Sequence, residues 1–147
     1  MKVERSSWRL CLVLAGSLML LDGCQQPPAR PASTRRLYAT DQAGGAMSCT
    51  VSPVTAPAPG KEFEVTMTVG NDGGWCAITV ANEGAPYAAQ LLTSRPAHGR
   101  VYYHAVGDAT RIDYTPNVGF AGTDSFTVRL LPGEGLIRAN VSVTKSG

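Results

Sequence analysis

The sequence predicts an all-β domain over residues 47–147, an antiparallel sandwich or barrel of seven or eight short strands. Three observations predict it. Apolar and polar residues alternate with a period of two along several segments, as half-buried strands require and helices do not. Clusters of Gly, Pro, Asn and Asp separate those segments, in a chain holding 16 Gly and 10 Pro, which is the punctuation of many turns. The segment, roughly 100 residues, has the size of one small sandwich core.

The residues before it belong to other classes. Lys2, Arg5 and Arg9 make a basic start, and residues 10–21 form a mostly apolar run. That run suits an export signal but is too short to span about 30 Å of hydrocarbon. It ends in Leu21-Asp22-Gly23-Cys24, which resembles the lipobox of bacterial lipoproteins, with Asp22 standing where that motif usually carries a small uncharged residue. The resemblance implies cleavage after residue 23, lipid attachment at Cys24, and, with Gln25 following, an outer-membrane anchor facing the periplasm. Residues 25–46, with Pro27, Pro28, Pro31 and Gly44-Gly45, read as a flexible tether. Arg30, Arg35 and Arg36 within it read as solvated tether charges, with contact to anionic headgroups as the alternative. The domain plan is thus signal 1–23, lipidated Cys24 and tether 24–46, and sandwich 47–147.

The strands follow in order. Residues 48–52 are a short candidate. In 62–69, Phe63, Val65, Met67 and Val69 share one face while Glu62, Glu64, Thr66 and Thr68 share the other. Further candidates are 75–80, 87–92, 100–106 and 109–115. Alternation returns in 124–131, with Phe126, Val128 and Leu130 inward, and near the end with Ile137, Ala139, Val141 and Val143. No longer internal repeat is present, so the strands make one module.

The run from Ile112 to Val128 contains Tyr114-Thr115-Pro116 and Gly119-Phe120-Ala121-Gly122-Thr123-Asp124-Ser125-Phe126, with Gly99-Arg100-Val101 upstream. It resembles the signature of bacterial immunoglobulin-like and cadherin-like repeats and implies an immunoglobulin-like sandwich. Read physically, Pro116 ends a strand, Gly119 and Gly122 permit left-handed turns, and Asp124 accepts backbone N–H bonds. Phe120 and Phe126 plug the end and the core. Such repeats usually stand in tandem, whereas one copy on a tether makes a poor spacer and a better binding module.

Once Cys11 leaves with the signal and Cys24 is lipidated, Cys49 and Cys76 remain as a pair for an oxidising compartment. If each strand crosses the sandwich and reverses, both lie near strand starts at the same end, so a disulfide is geometrically plausible. Closing that loop is worth about 3 to 4 kcal/mol in the chain-entropy model.

Chemistry has little support in the sequence. There are two histidines, His98 in a loop and His104 in a strand, and no serine sits in a Gly-x-Ser-x-Gly elbow. Asp72, Asp108, Asp113 and Asp124 lack the clustered ligand runs that calcium prefers. Asn140-Val141-Ser142 matches a glycosylation acceptor by chance. The expectation is a non-catalytic chain with no cofactor and no metal. Thirteen Lys and Arg against eleven Asp and Glu leave a net charge of +2, too small for a nucleic-acid surface.

Loops 70–74, 93–98 and 116–123 alternate along the chain, so up-and-down strands gather them at one end. That end would carry Asn71, Asp72, Trp75, Arg95 and His98 as candidate binding residues. Trp and Arg are common interface anchors, with a Trp75 buried over the disulfide as the other reading of that residue. The expected function is a lipid-anchored cell-envelope binding or adaptor module. Its partner is an envelope protein or cell-wall component, its membrane contact is the lipid anchor, and nucleic acid is not expected. The alternative is an inhibitor of an envelope or secreted hydrolase.

Overall fold

A computed structural model describes residues 38–146. The expected signal 1–23, Cys24, and the tether as far as residue 37, with Arg30, Arg35 and Arg36, lie outside the described residues.

A one-turn helix α1 (Ala39–Gln42) precedes eight strands: β1 (Cys49–Val51), β2 (Glu62–Asn71), β3 (Cys76–Val80), β4 (Ala89–Ser94), β5 (Gly99–Val106), β6 (Ala109–Pro116), β7 (Gly122–Leu131) and β8 (Gly135–Lys145). Each overlaps a segment expected to be a strand, with β4 running two residues later than the expected 87–92 and Trp75 lying just before β3 rather than opening it. A five-stranded sheet ordered β1-β2-β8-β7-β4 packs on a three-stranded sheet ordered β3-β6-β5, the expected immunoglobulin-like sandwich. Neighbouring strands are antiparallel except β2 and β8, which run parallel with Thr66 opposite Asn140 and Thr68 opposite Ser142.

The inward rows fill the space between the sheets. Val65 and Val69 of β2, Ile78 of β3, Ile112 and Tyr114 of β6, Phe126, Val128 and Leu130 of β7, and Ile137 and Ala139 of β8 are fully buried. Burying each large apolar side chain contributes about 1.5 to 3 kcal/mol relative to exposure. Tyr114 stacks on Phe126 at 5.8 Å between ring centroids. Gly99 leaves room for that ring, because a Cβ there would stand 2.4 Å from a Tyr114 ring carbon.

These pairings set the ends of the sandwich. β2, β4, β6 and β8 finish at the end where β1, β3, β5 and β7 begin, so loops 72–75, 95–98 and 117–121 meet there. We refer to it as the loop end. Cys49 and Cys76, both first residues of their strands, form the disulfide there with their Cα atoms 5.3 Å apart. The bond ties β1, a three-residue edge strand of one sheet, to the other sheet.

Residues 38–46, expected as the last part of the tether, are held against this frame. Trp75 donates its backbone N–H to Gly44 O (3.1 Å), accepts from Ala46 N (2.8 Å), and donates its indole Nε1–H to Ala43 O (3.1 Å). The close approach requires a missing side chain at Gly74, where a Cβ would stand 2.4 Å from Ala46 N, whereas one on Gly44 or Gly45 would make only ordinary contact with the indole at 3.5 Å.

Candidate functional site

At the loop end the loops are joined by side chains. Asp124 begins the process. It sits two residues into β7, where its carboxylate reaches the 95–98 loop: Oδ1 accepts from Ala97 N (2.9 Å) and Ser125 N (2.8 Å), and Oδ2 from His98 N (2.9 Å) and the Tyr114 hydroxyl (2.9 Å). Burial by itself pushes this carboxyl up, but the three backbone N–H groups and the Tyr114 hydroxyl together outweigh it and hold the group below the usual carboxylate range. Burial, then the hydrogen bond and charge of Asp124, push the Tyr114 hydroxyl up. The Asp124–Tyr114 pair therefore stays carboxylate and phenol, acceptor and donor, at neutral pH.

Asn71 joins the next loop. Its Nδ2 donates to Asn117 O (2.8 Å) and Phe120 O (2.9 Å) across the sandwich end. Asn117 N donates to His98 O at 2.8 Å, and the His98 ring stacks on Phe120 at 4.2 Å with 11° between planes. Asn71, the 117–120 turn and the His98 loop thus form one hydrogen-bonded platform, as their alternation in the chain predicts.

Beside it lies an open basin of about 670 Å³. The floor comes from the outward rows of three adjacent strands: Thr66 and Thr68 of β2, Asn140 and Ser142 of β8, Thr123 and Ser125 of β7, with Ala97 and His98 as the rim. Each of those six floor side chains is a hydroxyl or carboxamide that both donates and accepts hydrogen bonds. The neighbouring Asp124 carboxylate is directed at the loop and Tyr114. The lining therefore suits a neutral polar surface better than an anion.

The other expected site residues are placed differently. Asp72 accepts from Met47 N (2.8 Å) and Gly74 N (2.9 Å), bonds that hold its carboxyl below the ordinary range. It is a clip for the incoming chain. Trp75 is half-buried on the outer side of the three-stranded sheet, away from His98, between the 43–46 segment and the Arg111 guanidinium, which lies 4.1 Å from its ring centroid. Its indole shares a cleft of about 320 Å³ with Cys49, beside the disulfide. Arg95 is exposed on the loop before His98.

Sequence reasoning also missed Arg111. It makes a two-pronged pair with buried Asp113 at 2.9 and 3.0 Å and donates to Asp41 O, pinning the N-terminal segment. His104 is partly exposed, with Nε2 3.9 Å from Asp113. Among the described residues, no three His, Cys, Asp or Glu side chains are grouped to hold a metal ion. Neither the family models nor the curated proteins compared with the chain give a match.

Proposed function

We propose that the chain is a lipid-anchored, non-catalytic binding or adaptor module of the cell envelope whose working surface is the His98 platform and the basin beside it. The observation that carries the reading is Asp124, whose bonds from Ala97 N and His98 N fix the 95–98 loop at the rim of a neutral, hydrogen-bonding basin while Ser125 N and the Tyr114 hydroxyl hold the carboxylate itself. A preset surface loses little conformational entropy on association, which is what a binding module needs. The lipobox resemblance at Cys24 supports the anchor and the outer-membrane, periplasm-facing location.

The test is photo-crosslinking in cells from a probe at His98, with a control probe at Glu83 in the opposite-end loop, followed by mass identification. One species captured from His98 and absent from Glu83 supports the reading. Equal capture from both, or none from His98, overturns the placement of the site. If the captured species is a hydrolase whose activity falls as the chain is added, the module is an inhibitor.

A further inference from the structure

Five large apolar side chains are exposed among the described residues: Tyr38, Met47, Leu91, Tyr102 and Val118. Leu91 of β4 and Tyr102 of β5 stand singly on different sheets, an ordinary surface feature. Met47 and Val118 differ. They are 90% and 98% exposed, the two highest values, and both lie at the loop end. The bonds that join them run through adjacent residues and each uses one side chain: Met47 N donates to the Asp72 carboxylate, and the Asn71 side-chain amide donates to Asn117 O next to Val118.

Val118 is held out rather than left loose. Phe120 N closes the turn onto Asn117 O at 3.1 Å, and Gly119 takes a φ of 75°. Turn tips favour Asn, Asp, Gly, Ser and Pro, whose side chains or backbone freedom serve the turn. A β-branched apolar residue at this tip has no such local use, and nothing folds back over it.

We infer that Met47 and Val118 dip into the headgroup boundary of the membrane that anchors the chain, docking the sandwich by its loop end. The proposal rests on the anchored reading above. Two isolated apolar tips are too small for a stable protein interface, which buries about 1,200 Å² or more. A bilayer boundary accepts single apolar side chains to a depth of about 5 to 10 Å without shape matching. The chain meets the sandwich at this same end, through Gly44–Ala46 on Trp75, so an upstream lipid holds the tips near the surface and a weak contact suffices. Arg95 and Lys145 are exposed at this end and balance the charges of Asp72 and Asp124, which their N–H bonds keep ionised, so these four groups carry no net negative charge to repel the headgroups. Docking of this kind gives the Val118 tip of the platform to the bilayer, leaves the basin and its His98 rim open on the flank of the sandwich, and places any partner at the membrane surface.

The experiment uses the whole chain isolated from membranes and reconstituted in phosphatidylethanolamine–phosphatidylglycerol vesicles. A polarity-sensitive fluorophore is attached to V118C or, as the opposite-end control, to A58C, with the unsubstituted chain as blank. Both positions are exposed, so neither substitution disturbs the core. The expected result is a blue-shifted emission at 118, quenched by brominated lipid at least about twofold more than at 58, and weakened by Met47→Ser. A chain that floats with the vesicles but shows equal quenching at both positions overturns the docking proposal and leaves the anchor standing. A chain that does not float overturns both. Shielding of the 118 probe in cells but not in vesicles identifies a protein cover and overturns lipid contact.

Discussion

At the loop end, Asp124, Asn71 and Asp72 bond the backbone of neighbouring loops, across sequence separations of 25 to 49 residues. The opposite end is closed by backbone on backbone at Gly60 N to Gly133 O (2.9 Å), Lys61 N to Ala58 O (2.9 Å), Leu136 N to Lys61 O (2.8 Å) and Asn82 with Ala85, and by one neutral side-chain cluster, in which buried Thr110 Oγ1 accepts from Tyr87 N (3.0 Å) and Gln90 Nε2 (3.3 Å). Backbone closure needs no particular side chain and serves to reverse the strands. The carboxylates that set loops against one another, half-buried Asp124 and exposed Asp72, both lie at the loop end, joined there by the Asn71 amide. The difference is one of charge: ionised acceptors cross-link the loop end, while backbone and neutral side chains close the other, which supports the proposal that the loop end carries the working surface.

The largest expected effect comes from the disulfide. Replacing Cys49 and Cys76 together by alanine should lower stability by about 3 to 4 kcal/mol, read from urea unfolding. A loss below about 1 kcal/mol would show that the clasp of residues 43–46 on Trp75 holds this edge without it. Asp124→Ala should follow at about 3 kcal/mol, because it strands two loop N–H groups and the Tyr114 hydroxyl together. Its counterpart away from the loop end, Ser52→Ala, removes a single acceptor for Thr66 N and should cost about 1 kcal/mol. Equal costs would erase the contrast.

Gly99→Ala should cost about 2 kcal/mol by forcing a Cβ into Tyr114. Gly60→Ala at the opposite end meets open space at a φ of 66° and should cost about 1 kcal/mol of backbone strain. The smallest effect is that of pH. Asp72 and Asp124 are both held below the usual carboxylate range when folded, so their contribution is fully present above an unfolded pKa of about 3.9 and is lost as pH falls through the folded values. The protection of the Ala97 and His98 amides, taken against the intrinsic exchange rate at each pH, should fall below that range while that of Lys61 and Ala85 changes less, and Asp124→Asn should remove the difference.

The strands were legible because period-two alternation is local: Phe126, Val128 and Leu130 announce their face within five residues. The turn role of Asp124 was half legible. Its bond to Ser125 is local, but its bonds to Ala97 and His98 cross 27 and 26 residues and leave no trace in neighbouring sequence. The polar face of each floor strand was visible, yet the basin exists because β8 lies between β2 and β7, an order fixed by the parallel β2–β8 pairing. Trp75 was singled out as a binding anchor or a cover for the disulfide. Its clasp on residues 43–46 was hidden, because glycine-rich segments carry no side-chain periodicity to show what they pack against.

Amide hydrogen exchange, read at both ends on the purified chain and on the chain in its native envelope membrane, tests most directly which end works. Protection gained in the envelope at residues 95–98 and 117–120, with 81–85 and 132–134 unchanged, is the predicted result. Protection gained at the opposite-end loops instead, or equally at both ends, would contradict the account.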